Sequence, residues 1–133
     1  MQEQERLAKA GKIMSKQEVI KLFELHKAQW DKIQSLSTIL WEDFPWPMFK
    51  RPKGPDDLTT PAINAYMLSP LHPSDKSTKD RIKDSLRKWH PDRFNHSLPK
   101  VKEEDRERVQ EGAGSVVRTL NDLLRSSSHD VFS

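Results

Sequence analysis

Residues 76–94 read KSTKDRIKDSLRKWHPDRF, and the fold turns on this stretch. Ser77 stands three residues before Asp80, the spacing of a capping box, in which a hydroxyl and a carboxylate satisfy free amides at a helix start. Ile82, Leu86 and Trp89 follow at i, i+4 and i+7, which predicts one buried helix face. Lys79, Lys83 and Arg87 fall at i, i+4 and i+8 and project a basic ridge from a different side. Pro91 disfavours a helical conformation for the residue before it, so this helix must end by His90. Residues 76–93 hold seven basic and three acidic side chains, a net +4, whereas the whole chain of 133 residues has 23 Lys+Arg and 20 Asp+Glu, a net +3. The basic charge therefore has a location, and any role in recognition belongs to this segment.

Outward from it, all nine prolines lie between Pro45 and Pro99, which leaves both flanks free for long helices. On the N-terminal side Ser15 and Glu18 form a first capping box, followed by an apolar stripe of Val19, Leu22, Phe23, Trp30, Ile33 and Leu40. His26 falls on this stripe with no histidine near it in sequence, and reads as a partly buried side chain with one hydrogen bond rather than a ligand. The polar residues before Ser15, interrupted by Gly11, extend this helix or fray.

Residues 41–55, WEDFPWPMFKRPKGP, hold four prolines within eleven residues and cannot form a helix. Trp41, Phe44, Trp46 and Phe49 bring a large apolar area that must be covered, either by this chain's own core, the favoured reading, or by another protein. A short helix is expected from Thr60-Pro61 to a stop at Ser69-Pro70, with Thr60 as its cap. The last helix is expected from near Pro99, capped by Ser97 or Leu98, to about Arg125. Its stripe is Val109, Ala113, Val116, Val117, Leu120 and Leu124, with Glu103, Glu104 and Asp105 favouring its dipole. Gly112 and Gly114 cost this helix about 1 kcal/mol each relative to alanine, and close approach of another helix is the expected benefit. The resulting organisation is a charged N-terminal helix over 1–40, an all-α domain over 41–125 with a Pro/Trp-rich lead-in, and a flexible tail over 126–133.

Leu, Ile, Val and Phe together number 30, enough for a thin core. The absence of cysteine excludes disulfides, thiolate metal sites and cysteine nucleophiles, and points to a reducing compartment. The opening MQEQERLAKAGK lacks the apolar stretch of a signal peptide, and no window approaches the roughly 18 apolar residues of a membrane span. The expectation is an intracellular protein, nuclear or cytoplasmic, with no membrane partner.

His90-Pro91-Asp92, preceded by a basic helix, followed by a basic residue and an aromatic, and then by a long apolar-striped helix, resembles the J domain of DnaJ-type co-chaperones. The resemblance implies a small helical domain with an antiparallel helix pair around an HPD loop, which docks on a DnaK-type (heat-shock 70 family) chaperone and promotes its ATP hydrolysis. By position it implicates His90, Pro91 and Asp92 as the loop and Lys79, Lys83, Arg87 and Lys88 as docking cations. The usual first J-domain helix, with its tyrosine and Leu-Gly ending, is absent. A more specific likeness covers residues 41–124. WEDFPWP, a short helix, LRKWHPDRF and a helix ending in RTLNDLL are similar to the C-terminal region of the NF-kappa-B inhibitor-like family, without the ankyrin repeats of its animal members. That likeness implies a nuclear adaptor in transcription or RNA processing, with the HPD loop retained as structure and Trp41, Phe44 and Trp46 as anchor or docking aromatics.

Other classes fit less well. Asp80 and Asp84 interrupt the ridge, and no aromatic stacking platform interleaved with glycine accompanies it, which weakens a nucleic-acid reading. His90 and Asp92 flank a proline without a nucleophile, and His72, His90 and His96 lack the spacing of a helical metal pair. Neither an enzyme nor a cofactor is expected, and the oligomeric state is left open.

Overall fold

The computed structural model describes residues 14–73 and 75–130, with side chains to Ser126. The expectation for the stretch before Ser15 lies outside them, apart from Met14, which packs against the core. Five helices are present among the described residues: α1 (Lys16–Ile33), α2 (Thr60–Met67), α3 (Thr78–Trp89), α4 (Pro91–Phe94) and α5 (Glu103–Asp130). The chain is all-α, and no described helix is long and apolar enough to cross a membrane.

Both bonds of the first capping box form: the Ser15 hydroxyl accepts the Glu18 amide and the Glu18 carboxylate accepts the Ser15 amide, each at 3.1 Å. The helix ends at Ile33, so Leu40 joins the segment that leads into the Pro/Trp-rich strap. At α2 the cap is Thr59, whose hydroxyl accepts the Ala62 amide at 3.3 Å. Thr60 is the first helical residue and Pro61 the second, where the missing N–H costs nothing.

The strap has two short 3-10 turns, Trp41–Asp43 and Pro55–Asp57, and is otherwise irregular. Trp41, Phe44 and Trp46 are buried in this chain's own core. Both indoles satisfy their N–H groups locally: Trp41 Nε1 donates to the Pro52 carbonyl at 2.8 Å and Trp46 Nε1 to the Trp41 carbonyl at 3.0 Å. From the other side the Trp41 amide donates to Asp105 on α5 at 3.0 Å, and Arg108 both pairs with Asp105 at 2.7 Å and lies over the Trp41 ring.

The start of α5 is displaced from the expected Pro99 for a nonlocal reason. Ile39 forms a single parallel bridge with Val101: the Ile39 amide donates to Lys100 O at 2.9 Å and the Lys102 amide to Ile39 O at 2.8 Å. Val101 is thereby held extended, Pro99 falls in a 3-10 turn over Leu98–Lys100, and the helix begins at Glu103. It runs on through residues 126–130, which the sequence reading assigns to a tail. Val109, Ala113, Val116 and Leu120 form its buried stripe, and α3 is the helix it packs against most extensively.

The two glycines of α5 differ. A Cβ on Gly112 would meet the Trp46 and Trp41 rings and Leu58 at 3.0–3.1 Å, so the element brought close is the strap rather than another helix. Around Gly114 a Cβ would meet only the Arg118 guanidinium of the same helix, at 3.4 Å, and nothing in the fold explains that glycine.

Candidate docking surface

The basic helix starts as its sequence dictates. The Ser77 hydroxyl accepts the Asp80 amide at 3.1 Å, the hydroxyl half of the expected box. Ile82 and Trp89 are buried and Leu86 packs against the core, which fixes the rotation of α3 and turns Lys79, Lys83 and Arg87 to one flank of that face. Lys79 and Arg87 are exposed and Lys83 is half-buried. Arg87 contacts Asp84 at 2.5 Å, and Asp84 also pairs with Lys76, whose ammonium holds the carboxyl below its usual range. Lys88, the fourth docking cation the resemblance implies, lies apart from the ridge. It lies over the Trp30 ring, 5.8 Å from the centroid, and partial burial pushes its ammonium below the ordinary value.

His90-Pro91-Asp92 is a helix junction and not an open loop. Pro91 keeps His90 extended, at φ −60° and ψ 138°, and this one residue closes α3 and opens α4. The His90 amide donates to Leu86 O at 2.8 Å, its carbonyl accepts the Phe94 amide at 2.8 Å, and its Nδ1 accepts the Asp92 amide at 3.2 Å. That last bond requires an unprotonated Nδ1. The same nitrogen lies 3.7 Å from the Asp92 carboxylate. The Asp92 side chain is 95% exposed and that of His90 54%, and Pro91 is exposed as well.

Two rings bracket the motif and hold it. Trp89, immediately before His90, is 2% exposed, and Phe94, two residues after Asp92, is 5% exposed. Trp89 stacks on Trp46 and meets Trp30 edge-on, each with centroids 4.8 Å apart, while Phe94 packs on Phe44 at 5.2 Å. The strap thus forms the floor under the motif. The sequence reading assigns no role to Phe94. Its signal was a lone aromatic in the polar run DRFNHS, where so large an apolar surface has to be covered.

The structure brings the motif and the ridge to neighbouring exposed positions, removes Trp41, Phe44 and Trp46 from direct reach of a partner, and turns the exposed Lys88 toward Trp30 rather than the ridge. His26 and His72 are structural. His26 Nδ1 shares a 2.8 Å hydrogen bond with the Tyr66 hydroxyl, and His72 Nε2 donates to the Tyr66 carbonyl at 2.8 Å while its ring stacks on Phe23. Burial, reinforced by Arg51, lowers the His26 imidazole to about 4, and burial lowers His72 as well. Among the described residues no three metal-ligating side chains converge. No known protein family matches the chain, and neither does any curated protein or solved structure.

Proposed function

We propose that the chain is a J-domain-like binding module that docks on a DnaK-type (heat-shock 70 family) chaperone through His90, Pro91, Asp92 and the basic ridge of α3. The observation that carries this reading is a rigid, exposed motif between two buried rings: Trp89 and Phe94 fix the backbone on either side, while Asp92 extends into solvent. A motif fixed in advance loses little freedom on binding, and the cations of Lys79, Lys83 and Arg87 steer toward an acidic surface. The chain acts inside the cell as an adaptor and not as an enzyme. The purified protein is expected to raise the ATPase rate of a DnaK-type chaperone from its own cell, and His90→Gln to abolish the stimulation. Failure of the unmodified protein with every such chaperone would sink the idea.

A second reading, a nuclear adaptor of the NF-kappa-B inhibitor-like kind with a structural HPD motif, has its own supporting observation. His90 caps α4 through its ring, Arg87 pairs with Asp84 and Lys88 lies over Trp30, so the motif and two of its four cations already serve the fold. Pull-down from cell extract separates the two: a chaperone released by ATP supports the first, and a stable protein set indifferent to ATP supports the second.

A further inference from the structure

A cleft of about 240 Å3 opens on the other flank of α3, between that helix, α1, the end of α2 and the residues that follow it. Phe23, Trp30 and Met67 contribute apolar walls, and four cations surround them: Lys27, Lys76, Arg81 and Lys88. Ser85 adds a hydroxyl. At 100° per residue, Arg81, Ser85 and Lys88 form one row on α3, separated from the row of Lys79, Lys83 and Arg87 by the buried face of Ile82 and Trp89. The net +4 of this segment is therefore divided between two surfaces, and only one of them is the ridge.

The cleft is short of negative charge. Its single carboxylate, Asp84, is already shared by Lys76 and Arg87. Among the described residues Lys27, Arg81 and Lys88 have no carboxylate within ion-pair distance. The Arg81 guanidinium donates only to neutral oxygens, the Met67 carbonyl at 3.3 Å and the Thr78 hydroxyl at 3.4 Å. Partly burying a cation without a counter-charge is unfavourable, and burial lowers Arg81 from its ordinary value; burial lowers Lys88 as well, although Asp84 and Asp31 act on it in the opposite direction. A concave site with low-dielectric walls concentrates this unbalanced field.

From the cations converging on this cleft we infer that it binds a phosphate monoester. A carboxylate offers two oxygens and one charge, which a single guanidinium satisfies. Lys27 from α1 and Arg81 and Lys88 from α3, together with the Ser85 hydroxyl, match three terminal oxygens and a charge near −2, while the aromatic walls cover the carbon side of the ester. The site needs neither the HPD motif nor a chaperone.

The test is a titration of the full chain with inorganic phosphate and, separately, with phosphoserine, against acetate at matched ionic strength, followed through backbone amide and Arg Nε–H resonances. Saturable shifts centred on Arg81, Ser85 and Lys88 are expected. Arg81→Met weakens binding about tenfold, whereas Lys21→Met, on α1 but outside the cleft, changes it less than about twofold. Tighter binding of phosphoserine than of phosphate supports the ester, and the reverse order overturns it. If Arg81→Met does not fold, Lys27→Met on the exposed side of α1 replaces it, with a loss of about threefold. Non-saturating shifts, equal shifts with acetate, or equal losses in the cleft and Lys21 variants overturn the assignment.

Discussion

Trp89 stacks on Trp46 with ring centroids 4.8 Å apart and planes 18° from parallel. One ring belongs to the residue before His90 and the other to the proline-rich strap, so the position of the exposed motif depends on a segment that contributes nothing to its surface. Trp46→Ala is expected to lower stability by about 3–5 kcal/mol, as loss of a buried aromatic does. It should also shift the amide resonances of His90 and Asp92, although neither residue is altered. Urea unfolding and amide spectra check the two halves, and unchanged motif resonances in a destabilised protein would disconnect them.

The two glycines of α5 should respond with opposite signs. Gly114→Ala stabilises the helix by about 0.5–1 kcal/mol, because the atom a methyl meets is the movable end of Arg118. Gly112→Ala is expected to destabilise, since the same methyl presses on two indoles that are each buried and hydrogen-bonded. Unfolding midpoints that move in the same direction for both variants would contradict this packing.

Acid should loosen the packing between α1 and α2 before it reaches the carboxylates. His26 has a folded value of about 4 against an ordinary 6.5, so between those limits the unfolded chain binds more protons and stability falls as pH drops. The full loss is about 3 kcal/mol, of which about 2 kcal/mol is gone by pH 5. Denaturant midpoints at pH 7 and pH 5 measure it, and His26→Gln should remove most of the difference.

Asp92→Ala is expected to change stability by less than about 0.5 kcal/mol, because its side chain is almost wholly in solvent and the bond to the His90 ring comes from its backbone amide. On the chaperone-docking proposal the same change abolishes ATPase stimulation. Reversal of Lys79 and Lys83 to glutamate weakens docking and flattens its dependence on salt, which binding measured at two ionic strengths detects.

Local rules made the helices legible. Ser15 with Glu18, Ser77 with Asp80, and Pro91 acting on His90 each work within three residues. The first box forms in full, the second only in its hydroxyl half without the Asp80 carboxylate bond, and Pro91 ends the helix as expected. Buried stripes at helical spacing identified the core faces of α1, α3 and α5, and the aromatic content of the strap implied that it needed cover. What was not legible depended on distant partners. Nothing near Val101 in sequence announces Ile39, nothing near Gly112 announces Trp46, and nothing near His26 announces Tyr66. The same limit applied to the cations: spacing separated the ridge from the rest of α3, but only the packing of α1 could show that Lys88 lies over Trp30 while Arg81 faces a cleft.

The close contact of Gly112 with the strap also sets an order of events during synthesis. The rings of Trp41 and Trp46 emerge well before the helix surface that covers them, and at about 5–20 residues per second the interval to residue 112 lasts several seconds. For that time this tryptophan-rich segment is without its lid, and Trp89 arrives within the same interval to find only part of its seat. A nascent chain therefore completes the setting of its His-Pro-Asp junction late, after α5 is in place, so a finished junction marks a chain that has already folded.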